Sequence, residues 1–155
     1  MHYKMRDQIR FKIGKEEKNI QEKWIEIPEG TEHIQMMIEM PEEFRYMAFL
    51  FLEDPKKEIR FQKLLGYGQQ NPGIGKSTKD TTIGGVPGEI YPGTWKIGIG
   101  IFTEYVAQKL REQTGEIVLT VSDRKDEVSD PIGGECWVEN GLHISEKSYR
   151  WENVF

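Results

Sequence analysis

Cysteine is nearly absent from this chain. Cys136 is the only one in 155 residues, so no disulfide can staple the fold from within. With Glu135 and Trp137 beside it and no neighbouring cation, it reads as a small packed side chain rather than a nucleophile. Histidine is also scarce. His2, His33 and His143 are scattered, without the paired spacing that histidine-built metal sites use. No apolar run approaches the ~20 residues that cross a bilayer, and the N-terminal residues 1–7 lack the apolar stretch of a secretory signal. Blocks of one charge are missing too: 26 acidic and 21 basic residues are interspersed, for a net charge of -5. Such a surface does not draw polyanions, which excludes nucleic acid as an expected partner. These absences together predict a cytoplasmic protein with no membrane association.

What the chain does have is alternation broken by turn residues. Hydrophobic residues make up 37% and charged residues 30%, enough apolar material for a globular core. The clearest stretch runs from Val86 to Ile101. Pro92 and Gly93 make a tight turn, after which Trp95, Ile97, Ile99 and Ile101 fall on one face of a strand. Lys96, Gly98 and Gly100 fall on the other. Ile9, Phe11 and Ile13 mark a first strand, and Trp24 to Pro28 leads out of a second. Ile34, Met36, Ile38 and Met40 mark another, as do Ile59 to Gln62, and Ile117, Leu119 and Val121. The run from Tyr46 to Leu52 is apolar throughout, which predicts a strand covered on both sides near the centre. Cys136-Trp-Val and Leu142-His-Ile read as short strands in the tail. About eight to ten short strands without a βαβ rhythm predict an all-β fold, an antiparallel β-sandwich of jelly-roll type, in a single domain. One segment departs from this pattern. Residues 104–113 are good helix formers with Val106 and Leu110 four apart, which leaves a short helix or a strand open there.

No motif here carries chemistry by itself. Gly73-Ile-Gly-Lys-Ser-Thr78 has the look of a phosphate loop, but Gln70 stands where that motif needs its first glycine. The following Lys79-Asp-Thr-Thr-Ile-Gly-Gly is also poor helix material. A polar surface loop is the expectation. The irregular stretch from Gly66 to Gly93 is long enough to be functional or mobile. Asp123, Asp126, Glu127 and Asp130 form an acidic loop whose spacing matches no EF-hand, and a solvated loop is expected rather than a calcium site. Trp95 shares a face with three isoleucines and belongs in the core. Tyr67, Tyr91 and Trp137 are the aromatics that could offer flat rings to a carbohydrate.

Three segments in order resemble a known family. They are Ile27-Pro-Glu-Gly-Thr31 ahead of an alternating strand, then Leu50-Phe-Leu-Glu-Asp-Pro55. The third, Thr82-Ile-Gly-Gly-Val-Pro-Gly-Glu-Ile-Tyr-Pro-Gly-Thr-Trp95 with Lys96 to Gly100 after it, is the most specific. They resemble the N-terminal sandwich domain of a group of bacterial PHP-type (polymerase-and-histidinol-phosphatase) metallophosphoesterases, over residues 20 to 122. The resemblance implies a catalytic barrel downstream that opens with an Asp-Leu-His-x-His-Thr metal motif. This chain has no His-x-His, so neither metal ligands nor phosphoesterase chemistry transfers to any residue of it. What the resemblance implies for this chain is a non-catalytic accessory role without a cofactor. Its partner would be the downstream catalytic domain, or a second copy. Gly98 and Gly100, on the strand face opposite the core, and Trp151 in the apolar tail are the expected contact residues for a partner domain. The alternative is a stand-alone carbohydrate- or ligand-binding module using Tyr91 and Trp137.

Overall fold

The computed structural model describes residues 5–66, 70–102, 114–124 and 128–133. Eight strands lie within them: Arg6–Gly14 (β1), Ile20–Ile27 (β2), Ile34–Glu39 (β3), Phe49–Glu53 (β4), Ile59–Leu64 (β5), Gly73–Ile74 (β6), Gly93–Gly100 (β7) and Thr114–Ser122 (β8). They form two antiparallel four-stranded sheets, ordered β1-β8-β3-β6 and β2-β7-β4-β5. The first strand pairs with the last, the second with the seventh, the third with the sixth and the fourth with the fifth. One long hairpin has been rolled over into two layers, which is the jelly roll that the alternation predicted. The expected strands at Cys136–Val138 and Leu142–Ile144, and the ambiguous segment 104–113, lie outside the described residues.

The interior follows from the two-residue period. Ile9, Phe11 and Ile13 of β1 and Ile117, Leu119 and Val121 of β8 point inward from one sheet. Leu50 and Leu52 of β4 and Trp95, Ile97 and Ile99 of β7 point inward from the other. Fully burying one such side chain is worth roughly 1.5–3 kcal/mol, so this shared interior is what holds the layers together. The turns are those that proline, glycine and Asx chemistry favour. Gly93, the first residue of β7, sits at φ 127, where a side chain would be strained. Asp54 accepts hydrogen bonds from the Lys56 and Glu58 N–H groups and closes the β4–β5 hairpin.

Three expectations need correction. The run from Tyr46 to Leu52 is not a strand buried on both faces. Tyr46 sits in a turn at φ 60, the strand starts at Phe49, and Phe49 is exposed. β4 is an inner strand of its sheet, but that sheet has an outer face towards solvent. An unbroken apolar run cannot distinguish this from double burial.

Second, the stretch from Gly73 to Thr78 is only partly a surface loop. Gly73, Ile74 and Gly75 are buried, and the exposed part begins at Lys76. Third, the described part of the long 66–93 stretch is not irregular throughout: it holds β6 and a 3-10 turn over Thr78–Asp80, and hydrogen bonds tie it to β3. The Gly73 N–H donates to Thr82 Oγ1 and the Gly75 N–H to Thr81 Oγ1, while Met36 and Ile38 donate to the carbonyls of Pro72 and Gln70. Buried His33 packs against Gly73 and Gly75, which leave no room for a Cβ, and its Nε2 lies 3.0 Å from Gln35 Oε1.

Candidate docking face

The outer face of the β2-β7-β4-β5 sheet is where the apolar residues left over from the core collect. Strand register places Ile20, Gly100, Phe49 and Leu64 in one row across all four strands. Ile20 is 61% exposed, Phe49 40% and Leu64 49%, and a Cβ on Gly100 would meet nothing within 4 Å. The row is an open apolar trough with its floor at Gly100. Phe102, 74% exposed, follows just beyond the end of β7. Contiguous apolar surface of this kind marks interaction sites more often than isolated exposed side chains do.

The middle of the face is different. The next row holds Glu22, Gly98, Phe51 and Gln62, and the Phe51 ring lies over Gly98 in the space a Cβ would need. The row after that holds Trp24, Lys96 and Glu53. Lys96 Nζ is 3.0 Å from Glu53 Oε1 and 3.2 Å from Glu22 Oε2, bridging β7 to the strands on both sides. These hydrogen bonds, that of Glu53 first, raise the Lys96 amine above its ordinary value. Lys96 is therefore protonated at neutral pH. Thr94 donates to Glu26 at the far end of the face.

The expected contact residues fall out as follows. Gly98 and Gly100 do lie on this face, but they are not one bare patch: Phe51 fills the space at Gly98, and only Gly100 is open. Tyr91 lies elsewhere, in the turn before β7. Its carbonyl accepts a hydrogen bond from Trp95 Nε1, and the Lys56 ammonium sits 4.1 Å from its ring centroid. One face of that half-buried ring is thus occupied by a cation. Trp137 and Trp151 lie outside the described residues, as do Tyr67, Asp126 and Glu127. Trp24, 61% exposed, and the Ile20–Phe49–Leu64 row were missed. The signal for Trp24 was present, because Ile25 and Ile27 point inward and alternation sends Trp24 outward.

Among the described residues, no three of the His, Cys, Asp and Glu side chains come together as metal ligands do. Asp130, at the end of the acidic loop, pairs instead with Lys63 at 3.5 Å. No helix among the described residues is long and apolar enough to cross a membrane. No model of a known protein family matches the chain, and no curated protein matches it significantly.

A second buried polar centre braces the fold. Arg60 and Asp54 are 4% and 2% exposed, with Arg60 Nη1 3.5 Å from Asp54 Oδ2. Arg60 also donates from Nη1 to the Glu89 carbonyl (2.7 Å) and from Nε to the Val86 carbonyl (3.2 Å). It pins the 86–91 segment to the β4–β5 hairpin, with the Trp95 ring 5.5 Å and the Tyr91 ring 5.9 Å away.

Proposed function

We propose that this chain is a non-catalytic β-sandwich module that docks on a catalytic domain through the outer face of the β2-β7-β4-β5 sheet. The catalytic domain would be that of a metal-dependent phosphoesterase, as the sequence resemblance implies. The observation that supports docking is the four-strand row of Ile20, Gly100, Phe49 and Leu64, with exposed Trp24 two rows further along the same face. Covering the exposed half of the Ile20, Phe49, Leu64 and Trp24 side chains is worth about 1 kcal/mol each. A sum of that size suits a neighbouring domain tethered in the same protein, where the effective concentration is high, better than a freely diffusing partner. A reducing cytoplasmic location goes with this reading, supported by the single cysteine.

The test is to join the chain by a flexible linker to a catalytic domain that carries the Asp-Leu-His-x-His-Thr motif. Hydrogen exchange and thermal unfolding of the pair are then compared with those of the separate parts. Docking predicts one shared transition and slowed exchange in β2 and β4. Phe49→Lys with Leu64→Lys should return the pair to two independent transitions. Independent unfolding of the unaltered fusion would refute the reading. Turnover of a phosphodiester by the chain alone, surviving repurification, would refute its non-catalytic part.

A further inference from the structure

The sandwich has one side on which both sheets end in a long strand with no described neighbour: β1 at the edge of one sheet and β2 at the edge of the other. The register shows which groups point outward there. The Ile101 N–H donates to the Asn19 carbonyl, one step beyond the Ile20–Gly100 pair, so the odd-numbered residues of β2 bond to β7. The N–H and C=O groups of Ile20, Glu22, Trp24 and Glu26 therefore face the outer edge. By the same reasoning, the Asp123 N–H to Met5 carbonyl bond turns the odd-numbered residues of β1 towards β8. Arg6, Gln8, Arg10 and Lys12 then face the outer edge. The two edges carry opposite charge. Exposed Arg6, Arg10 and Lys12 line β1, with Arg10 also reaching Glu116 of β8 at 2.8 Å, whereas Glu22, which also reaches Lys96, and Glu26 alternate with Ile20 and Trp24 along β2.

We infer that the partner of this side is a second copy of the same chain, with β1 of each copy adding to β2 of the other. A two-fold axis parallel to the strands does this, and it makes both new pairings antiparallel, because β1 and β2 run in opposite directions within one chain. An axis perpendicular to the sheets would instead pair β1 with β1 and β2 with β2, setting cations against cations and carboxylates against carboxylates. Charge selects the first arrangement.

A rotation about the strand direction also keeps every residue at its own height along the strands. Gln21 Nε2 donates to the Lys12 carbonyl at 2.7 Å, which puts the start of β2 level with the end of β1. At that height, one register that keeps the outer faces continuous sets Arg10 opposite Glu22 and Arg6 opposite Glu26. The next register sets Lys12 opposite Glu22. Both match cation to carboxylate, and both join the two sandwiches into a pair of continuous eight-stranded sheets.

The proposal rests on the strand edges and not on the outer trough, so its failure would leave the docking reading standing. Sedimentation of the full chain should show a species of twice 18.1 kDa that weakens at high salt. Arg10→Glu with Lys12→Glu, and Glu22→Lys with Glu26→Lys, should each weaken self-association about a hundredfold. Mixing these two variants should restore the dimer, because both of its interfaces are then complementary. Gln8→Pro gives a second route: it removes an N–H that faces the edge and so leaves the bonds to β8 intact while blocking the added strand. Phe49→Lys should leave the dimer unchanged. A wild-type chain that stays monomeric up to about 100 µM overturns the inference. So does a dimer insensitive to Gln8→Pro, or a variant mixture that fails to associate.

Discussion

Replacing Arg60 by methionine tests whether the buried ion pair beneath the 86–91 segment holds the jelly roll together. Methionine keeps most of the stem volume but removes the guanidinium. Asp54 then stays 2% exposed without its cation, although its Oδ1 still accepts the Lys56 and Glu58 N–H groups. Removing one partner of a buried pair costs about 3–5 kcal/mol. The two retained N–H donors place this case near the lower end, about 3 kcal/mol. The carbonyls of Val86 and Glu89 lose their donor as well, but both residues are exposed and water can replace it. For a chain of this length, about 3 kcal/mol lowers the melting temperature by about 6–12 °C. Urea titration followed by tryptophan fluorescence, with calorimetry alongside, measures both quantities. Asp54→Asn completes a double-mutant cycle, in which the double variant should lose at least about 1 kcal/mol less than the sum of the singles. Additive losses, or an Arg60→Met variant within about 1 kcal/mol of the parent, would refute the argument.

The two glycines of β7 should behave differently. Gly98→Ala forces the Phe51 ring away and should cost about 1–3 kcal/mol, with Phe51→Leu relieving part of the loss. Gly100→Ala meets open space and should be neutral or stabilising by up to about 1 kcal/mol in the same urea assay. The pH dependence of Lys96 has a definite sign. Its folded amine titrates above the unfolded value of 10.5, so its contribution is complete below that pH and fades as pH rises through the higher folded value. Thermal melts between pH 9 and 12 should therefore fall more steeply for the parent than for Lys96→Met, and parallel curves would remove the argument (a range set by the ordinary lysine pKa of about 10.4).

Much of the architecture is legible from period alone. In β1, β7 and β8, alternate apolar residues declare their buried face, and Pro92–Gly93 and Asp54–Lys57 declare their turns. The rolled hairpin is the arrangement that such short alternating strands adopt when both layers must share one interior. The candidate docking face was half legible. Gly100 and Trp24 follow from alternation, but the closing of Gly98 does not, because it needs Phe51 of a neighbouring strand to lie across it. Arg60 shows the same limit more sharply. Simple alternation with buried Phe61 would send Ile59 inward and Arg60 outward. A register shift opposite Leu52 and Glu53 instead leaves Ile59 exposed and buries Arg60 beside Phe61.

By itself, then, the order of residues determined which face of each strand is apolar, where the chain turns, and that two sheets must enclose a common core. Those are local properties, set by backbone geometry and by the cost of leaving hydrocarbon in water. Tertiary structure alone decided which strand lies beside which. Ile9 pairs with Leu119 across most of the chain, and the same rolling leaves a basic β1 and an acidic β2 as edges on one side. The physical reason is that pairing partners, bulges and edges are chosen by packing among distant segments, and a period of two residues carries no information about distance along the chain.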